Sequence, residues 1–151
     1  MKVRNIMFKR IDHVEIISSD ANRSVQFYIE ALGFELKQIL HLECGHFRRV
    51  IYLGLGESMI EILDMKNPKE PVAADEHVGY RAIALEVDDM DDAIASLSQA
   101  GVEPAWGPAD LGDSIRAEIK DPDGLTIELR QWRWKPGVVE DLAAHDSASE
   151  N

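Results

Sequence analysis

The feature that most constrains the fold of this chain is an internal repeat. His13 begins an apolar strand pattern in the first half, and Glu61 closes that half inside Met-Ile-Glu-Ile-Leu. Ala82 and Glu128 occupy the matching positions of the second half at nearly the same spacing. A unit that recurs in sequence is one supersecondary structure that packs against its copy. The chain is therefore expected to form two similar halves that jointly line one site.

Each half is expected to contain one helix and four strands in the order βαβββ. In the first half, β-branched residues alternate through 11–18, Asp20 can cap a helix, and Gly33 can end it. The second half repeats these signals, with Asp88 or Asp89 as the helix cap. The remaining strands are predicted at residues 34–42, 47–53, 58–63, 82–87, 102–106, 114–120 and 125–131.

We therefore predict an α+β fold in which two βαβββ modules form a cupped mixed sheet with the helices on its outer face. The polar, Pro-containing stretch between the halves is typical of a connection. The predicted divisions are an N-terminal extension at 1–10, a first module at 11–64, a linker at 65–78, a second module at 79–132, and a tail at 133–151 with a disordered end.

Composition narrows the partners of this chain. A length of 151 residues with 45% hydrophobic content is enough for a core, and the formal net charge of −12 argues against nucleic acid or an anionic membrane as partner. Cys44 is the single cysteine, which excludes an internal disulfide and favours a reducing cytoplasm. No apolar run is long enough to predict secretion or membrane insertion. A small-molecule partner is the expectation.

Strand alternation places several ionisable residues on the sheet face opposite the core. Glu61 and Glu128 each lie in an otherwise apolar run, and a carboxylate is costly to bury there without a cation or a donor. A solvated outer face is the alternative that the pattern leaves open. The residues expected on this face are His13, Glu15, Glu61, Ala82, Ala84, Glu86, Thr126, Glu128 and Arg130.

These residues resemble the vicinal oxygen chelate superfamily, which includes glyoxalase I, methylmalonyl-CoA epimerase, extradiol dioxygenases, fosfomycin-resistance enzymes and bleomycin-binding proteins. The resemblance covers about residues 11–131. It rests on Asp12-His13-Val14, on Ser24-Val25-Gln26-Phe27-Tyr28 through Leu32-Gly33-Phe34, on Ile83-Ala84-Leu85-Glu86-Val87-Asp88-Asp89, and on Asp121-Pro122-Asp123-Gly124 before Ile127-Glu128-Leu129. It implies paired βαβββ modules that curl around a divalent metal.

The resemblance implies that His13, Glu61 and Glu128 are metal ligands. The family's remaining ligand is usually a His, and Ala82 stands at its position with no donor atom. A divalent ion (Ni, Zn, Mn, Co or Mg) would then bind more weakly, through one imidazole and two carboxylates. His77 or Glu118 could replace the missing ligand, although an exposed loop His and a Glu118–Arg116 ion pair are the preferred interpretations.

The resemblance also implies a glyoxalase I-like lyase or an acyl-CoA epimerase-like isomerase. In both reactions a metal chelates the substrate, and Glu128 or Glu61 would move a proton beside a carbonyl. A metal-independent binder of the bleomycin-resistance type is the main alternative, a silent dimerisation module is another, and the single His disfavours a dioxygenase. A homodimer is expected. The residues expected to bind substrate are Arg48, Tyr52, Trp106 and Arg116.

Overall fold

The computed structural model describes residues 9–42, 45–71 and 78–136; Cys44, His77 and the tail beyond 136 lie outside them. The described elements are β1 (Val14–Ser18), α1 (Ala21–Glu30), β2 (Glu35–His41), β3 (Phe47–Leu55), β4 (Ser58–Met65), β5 (Ile83–Glu86), α2 (Met90–Gln99), β6 (Trp106–Asp110), β7 (Ser114–Lys120) and β8 (Thr126–Trp132). Among these ranges, no helix is long and apolar enough to cross a membrane.

The strands form two four-stranded mixed sheets with the same topology. Their orders are β1-β4-β3-β2 and β5-β8-β7-β6. In each sheet the first strand pairs in parallel with the last, and the other pairs are antiparallel. The predicted α+β fold of two βαβββ modules is confirmed. Each module therefore places its first and last strands side by side, and the predicted ligand positions lie in the last strands or directly before the first ones.

Both helices start and stop at the predicted signals. The side chains of Asp20 and Asp89 accept hydrogen bonds from the backbone N–H three residues later, as N-caps do. Gly33 and Gly101 follow the helices at φ of 75° and 76°, which a residue with a Cβ adopts only at a cost. The helices cover one continuous core, whose buried members are Ile16, Ala21, Tyr28, Phe34, Ile51, Leu53, Ile60, Ile62, Met90, Leu97, Ala117, Ile119, Ile127 and Leu129.

The prediction of a strand at 102–106 was wrong, because β6 runs from Trp106 to Asp110. The backbone N–H of Val102 closes the preceding helix by donating to the carbonyl of Leu97, and Pro104 has no N–H to offer a ladder. β6 is an edge strand, where Pro108 is tolerated. A strand does occur in this region, but it begins at Trp106 and not at Val102.

A turn of the second module docks on the first module. Asp123 accepts hydrogen bonds from the hydroxyl of Ser18 (3.1 Å) and from the backbone N–H (3.0 Å) and hydroxyl of Ser19. Arg23 adds a hydrogen bond to the carbonyl of Pro122. Burial alone would raise the pKa of Asp123, but these hydrogen bonds outweigh it and hold the pKa below its ordinary value of 3.8. The ionised carboxylate therefore joins the two modules.

The variant Asp123→Asn is expected to be about 1–2 kcal/mol less stable than the wild type at pH 7, because it loses charge-assisted hydrogen bonds. The folded-state pKa lies below the unfolded one, so the contribution of Asp123 is present above the unfolded pKa and is lost as pH falls through the folded pKa. The gap between the two proteins should narrow below about pH 4. Urea unfolding of both proteins from about pH 2.5 to about pH 7 measures this difference in stability. A gap that is constant with pH would contradict the prediction.

Candidate metal site

Three polar side chains meet on the open face of the first sheet, by which we mean the face opposite α1. Glu15 of β1 lies directly beside Glu61 of β4, and Glu61 lies directly beside Tyr52 of β3. Their neighbours Ile16 and Ile62 belong to the core on the other face. Glu61 is only 6% exposed, whereas Glu15 is exposed. A buried carboxylate is therefore presented to a face that solvent can reach.

His13 precedes β1 and projects onto the same open face. Its Nε2 lies 2.7 Å from Oε2 of Glu61 and 3.7 Å from Oε1 of Glu15. Its Nδ1 lies 2.8 Å from the carboxylate of Asp12. The hydrogen bond with Asp12, followed by the charge of Glu61, raises the pKa of His13 above its ordinary value of 6.5. Asp12 thus fixes the ring so that Nε2 faces the two glutamates.

Tyr52 completes the surroundings of Glu61. A hydrogen bond with Glu61, together with partial desolvation and the charges of Glu61 and Glu15, raises the pKa of the Tyr52 phenol above its ordinary value. The phenol therefore stays protonated beside the carboxylate. Glu61 thus has two polar neighbours, the imidazole of His13 and the phenol of Tyr52.

The donor set of this cluster fits a divalent cation. Ligand atoms of His13, Glu15 and Glu61 all lie within 4.8 Å of one another. One imidazole and two carboxylates suit borderline and hard divalent ions, and a carboxylate on the second imidazole nitrogen is the usual support of a ligating histidine. With metal–ligand bonds of about 2.0–2.2 Å, small side-chain rotations would bring three such donors onto one ion.

The second module arranges its matching positions differently. Nε and Nη2 of Arg130 approach the same oxygen of Glu128, Oε1, at 2.6 and 2.5 Å. The Arg130 guanidinium also lies over the ring of Trp132, 4.7 Å from its centroid. Among the described residues, Glu128 is not part of the cluster around His13. Within one chain the structure brings together two of the three predicted ligands, His13 and Glu61.

Arg48 and Trp106, two of the residues predicted to bind substrate, lie apart from this cluster. Arg48 donates to the carboxylate of Asp64 (3.2 Å) and to the carbonyl of Met65 (3.1 Å), so its guanidinium holds the end of β4. Trp106 is 47% exposed on the edge strand β6. Tyr52 is the predicted substrate residue that stands beside the cluster.

Arg116 was expected to pair with Glu118, and this prediction was wrong. Arg116 bonds instead to Asp113 and to the hydroxyl of Ser114, while Glu118 pairs with Arg81 at 2.5 Å. In a strand, residues two apart share a face, but both arginines are long enough to reach acids elsewhere. Asp113 and Arg81 lie outside the strands, so strand alternation could not predict either ion pair.

Sequence reasoning did not single out Glu15 or Asp12, which the structure places beside His13. The alternation of β1 put Glu15 on the open face with His13, but gave no reason to select it as a ligand. The available signal was its register, because Glu15 lies opposite Glu61. Asp12 precedes His13 directly, and its contact with Nδ1 depends on the two side-chain rotamers, which residue spacing does not show.

Comparison with known proteins agrees with this architecture. The sequence pattern of the Glyoxalase/Bleomycin resistance protein/Dioxygenase superfamily matches residues 10–129. A probable lactoylglutathione lyase of Synechocystis sp. is 30% identical over 122 residues, which cover 79% of this chain and 92% of that protein. Mitochondrial methylmalonyl-CoA epimerase of Mus musculus is 24% identical over 130 residues, which cover 81% of this chain and 72% of that protein.

Among solved structures, TnmS3, an antibiotic binding protein from Streptomyces sp. CB03234, superposes with a TM-score of 0.68. It is 25% identical, and the match covers 84% of this chain and 98% of that chain. The relatives therefore include both enzymes and a binding protein, so the fold alone does not choose between these functions.

Proposed function

This chain belongs to the Glyoxalase/Bleomycin resistance protein/Dioxygenase superfamily, and on that premise we propose that it is a metal-dependent lyase or isomerase. The proposed reaction is the transfer of a proton on a carbon beside the carbonyl of a small ketone, aldehyde-derived or thioester substrate. The lactoylglutathione lyase and the epimerase among the relatives motivate this reaction class.

The observation that carries the proposal is the contact between His13 and Glu61. An imidazole nitrogen and a buried carboxylate face each other at 2.7 Å, and each has a further polar neighbour, Asp12 for His13 and Tyr52 for Glu61. A cluster that served only for stability would not need both ligand types on a solvent-reachable face. Fixed, outward-facing donors are what a metal-dependent site requires.

His13 and Glu61 would hold a divalent ion, with Glu128 as the further ligand that the resemblance implies. A bound divalent ion would polarise the carbonyl oxygen of the substrate and stabilise the negative charge left by proton removal. A carboxylate of this chain would carry the proton, either Glu61 or Glu128. Tyr52 would contact Glu61 from the neighbouring strand. Arg130 would hold Oε1 of Glu128 so that Oε2 can face the substrate.

Glu128 would reach this site from a second copy of the chain. Within one chain it lies outside the His13 cluster, and a symmetric dimer can place the second module of one copy over the first module of the other. The homodimer is therefore part of the proposal. The substrate would lie between the two modules, where Tyr52 and Arg116 could contact it.

Hydrogen–deuterium exchange tests the proposed reaction without assuming one substrate. The metal-loaded protein is expected to exchange the proton beside the carbonyl of lactoylglutathione or methylmalonyl-CoA in D2O, as measured by mass spectrometry. Glu61→Gln should slow the exchange by about 100-fold or more, since a general base contributes about 10²–10⁴-fold. Glu57→Gln changes an exposed turn glutamate and serves as the matched control. Exchange that is equal in both variants would refute the role of Glu61.

Metal-independent binding of a small molecule is the second candidate function. Ala82 favours it, because the position of a family ligand carries no donor atom. On this alternative, the protein would show no metal-dependent change in stability and no exchange with either substrate. Such a result would favour a binder of the kind that TnmS3 represents.

A further inference from the structure

The two modules differ at the three positions that matter for metal binding. In the first sheet, Glu15 lies beside Glu61, and His13 lies two residues earlier. In the second sheet, Ala84 lies beside Glu128, and Ala82 lies two residues earlier. The first module thus has a donor atom at all three positions, and the second has one. The two halves share the same strand register, but most of the possible metal-donor atoms lie in the first half.

We propose that the first module holds the metal by itself, with Glu15 as the third ligand beside His13 and Glu61. This inference rests on the proposed function, because it names the ligands of the metal on which that chemistry depends. It keeps His13 and Glu61 as ligands but puts Glu15 in place of Glu128, the further ligand that the resemblance implies. Glu128 then keeps only its proposed role as a base, and Ala82 needs no replacement.

Electrostatic repulsion between the two glutamates supports this assignment. Carboxylates at directly paired positions of neighbouring strands repel each other, so the Glu15–Glu61 pair costs stability unless a cation offsets it. His13 carries at most one positive charge, and Asp12 already contacts it from the other side. A divalent cation between Nε2 of His13 and the two glutamates would neutralise the excess negative charge.

The environment of Glu128 supports the same assignment from the other side. Its Oε1 receives two contacts from Arg130, whose guanidinium is also stacked on Trp132. The position that matches Arg130 in the first module is Leu63, which cannot neutralise Glu61. A carboxylate already paired with a guanidinium has less negative charge to offer a metal. On this assignment Glu128 is not a ligand, and its second oxygen, Oε2, would face the substrate.

The ligand assignment can be tested by titrating the full chain with Mn²⁺ alone. The EPR signal of the free ion measures how much Mn²⁺ is bound. Glu15→Gln keeps the shape of the side chain and removes its charge, so we expect Mn²⁺ affinity to fall by at least about tenfold, because charged ligands set the affinity of such sites over decades. Glu128→Gln is the matched control and should change affinity by less than about twofold, since Glu128 lies outside the cluster. Ala82→His should also leave affinity unchanged.

The opposite pattern would overturn the inference. In that pattern Glu128→Gln weakens Mn²⁺ binding, Ala82→His strengthens it, and Glu15→Gln leaves it unchanged. The two modules would then share the metal, and Glu15 would not be a ligand. Circular dichroism and melting of each apo variant show whether it is folded, and Glu15→Asp, which keeps the charge on a shorter side chain, should bind between wild type and Glu15→Gln. Wild-type protein that binds neither Mn²⁺ nor Co²⁺, Ni²⁺ or Zn²⁺ would instead refute the proposed function itself.

Discussion

Replacing His13 by alanine is expected to abolish tight binding of a divalent ion, with a loss of affinity of at least about 100-fold. Loss of a residue that merely supports a ligand costs about 10–100-fold, and His13 is the one imidazole of the cluster. An ion that binds only the native state at 100 times its Kd stabilises a protein by about 2.7 kcal/mol. The wild type should therefore melt at a higher temperature with excess Mn²⁺, and the variant should not.

His41→Ala provides the matched control for this experiment. His41 is exposed at the end of the edge strand β2, away from the first and last strands of the module. Its replacement should leave the Mn²⁺-induced rise in melting temperature intact. A rise of equal size in the His13 variant would mean that the ion binds elsewhere, and the proposed site would have to be abandoned.

Strand alternation made much of the fold and part of the site predictable. The side chains of a strand alternate strictly between faces, so apolar neighbours such as Ile60 and Ile62 fixed the direction of Glu61 before any coordinates were known. The same rule brought Tyr52 to the open face. The strand predicted at 114–120 agrees with β7 at both ends, because strong turn residues flank it.

Contacts made by long side chains were less predictable. Alternation placed Glu128 and Arg130 on one face, but did not reveal that the guanidinium meets a single carboxylate oxygen. It also suggested a wrong partner for Glu118, because Arg81 lies in the segment before β5 and has no strand pattern. Such pairs depend on rotamers and on nearby loops, both of which are set by the tertiary structure.

The position of Glu128 relative to His13 is a different kind of problem. Each ligand position follows from its own strand, but the distance between two modules depends on how the sheets are joined and on assembly. The turn around Asp123 fixes one contact between the modules, near the C-terminal end of β1. His13 precedes the other end of that strand. That Glu128 of one chain takes part in the site of a second chain is therefore a prediction.

Replacing Asp121 by alanine is expected to cost about 3 kcal/mol of stability or more. Asp121 is 5% exposed and accepts hydrogen bonds from the hydroxyl of Tyr28 (3.2 Å) and from the backbone N–H groups of Asp123 and Leu125 (both 2.9 Å). Each buried donor left without an acceptor costs about 1–3 kcal/mol. Because Tyr28 belongs to the first module and Asp121 to the second, the loss also loosens the junction between them. Urea unfolding at pH 7 measures the change.

Two companion variants separate the hydrogen bonds of Asp121 from its charge. Burial raises the pKa of Asp121 above its ordinary value, so the charged form is disfavoured at this position. Asp121→Asn keeps an acceptor and removes that charge, and it should therefore cost less than about 1.5 kcal/mol. Asp110→Ala breaks the exposed pair with Arg133 and an exposed hydrogen bond from the backbone N–H of Gly112, and it should cost no more than about 1 kcal/mol. If Asp121→Ala is as mild as Asp110→Ala, water replaces the lost acceptor and the junction does not depend on this carboxylate.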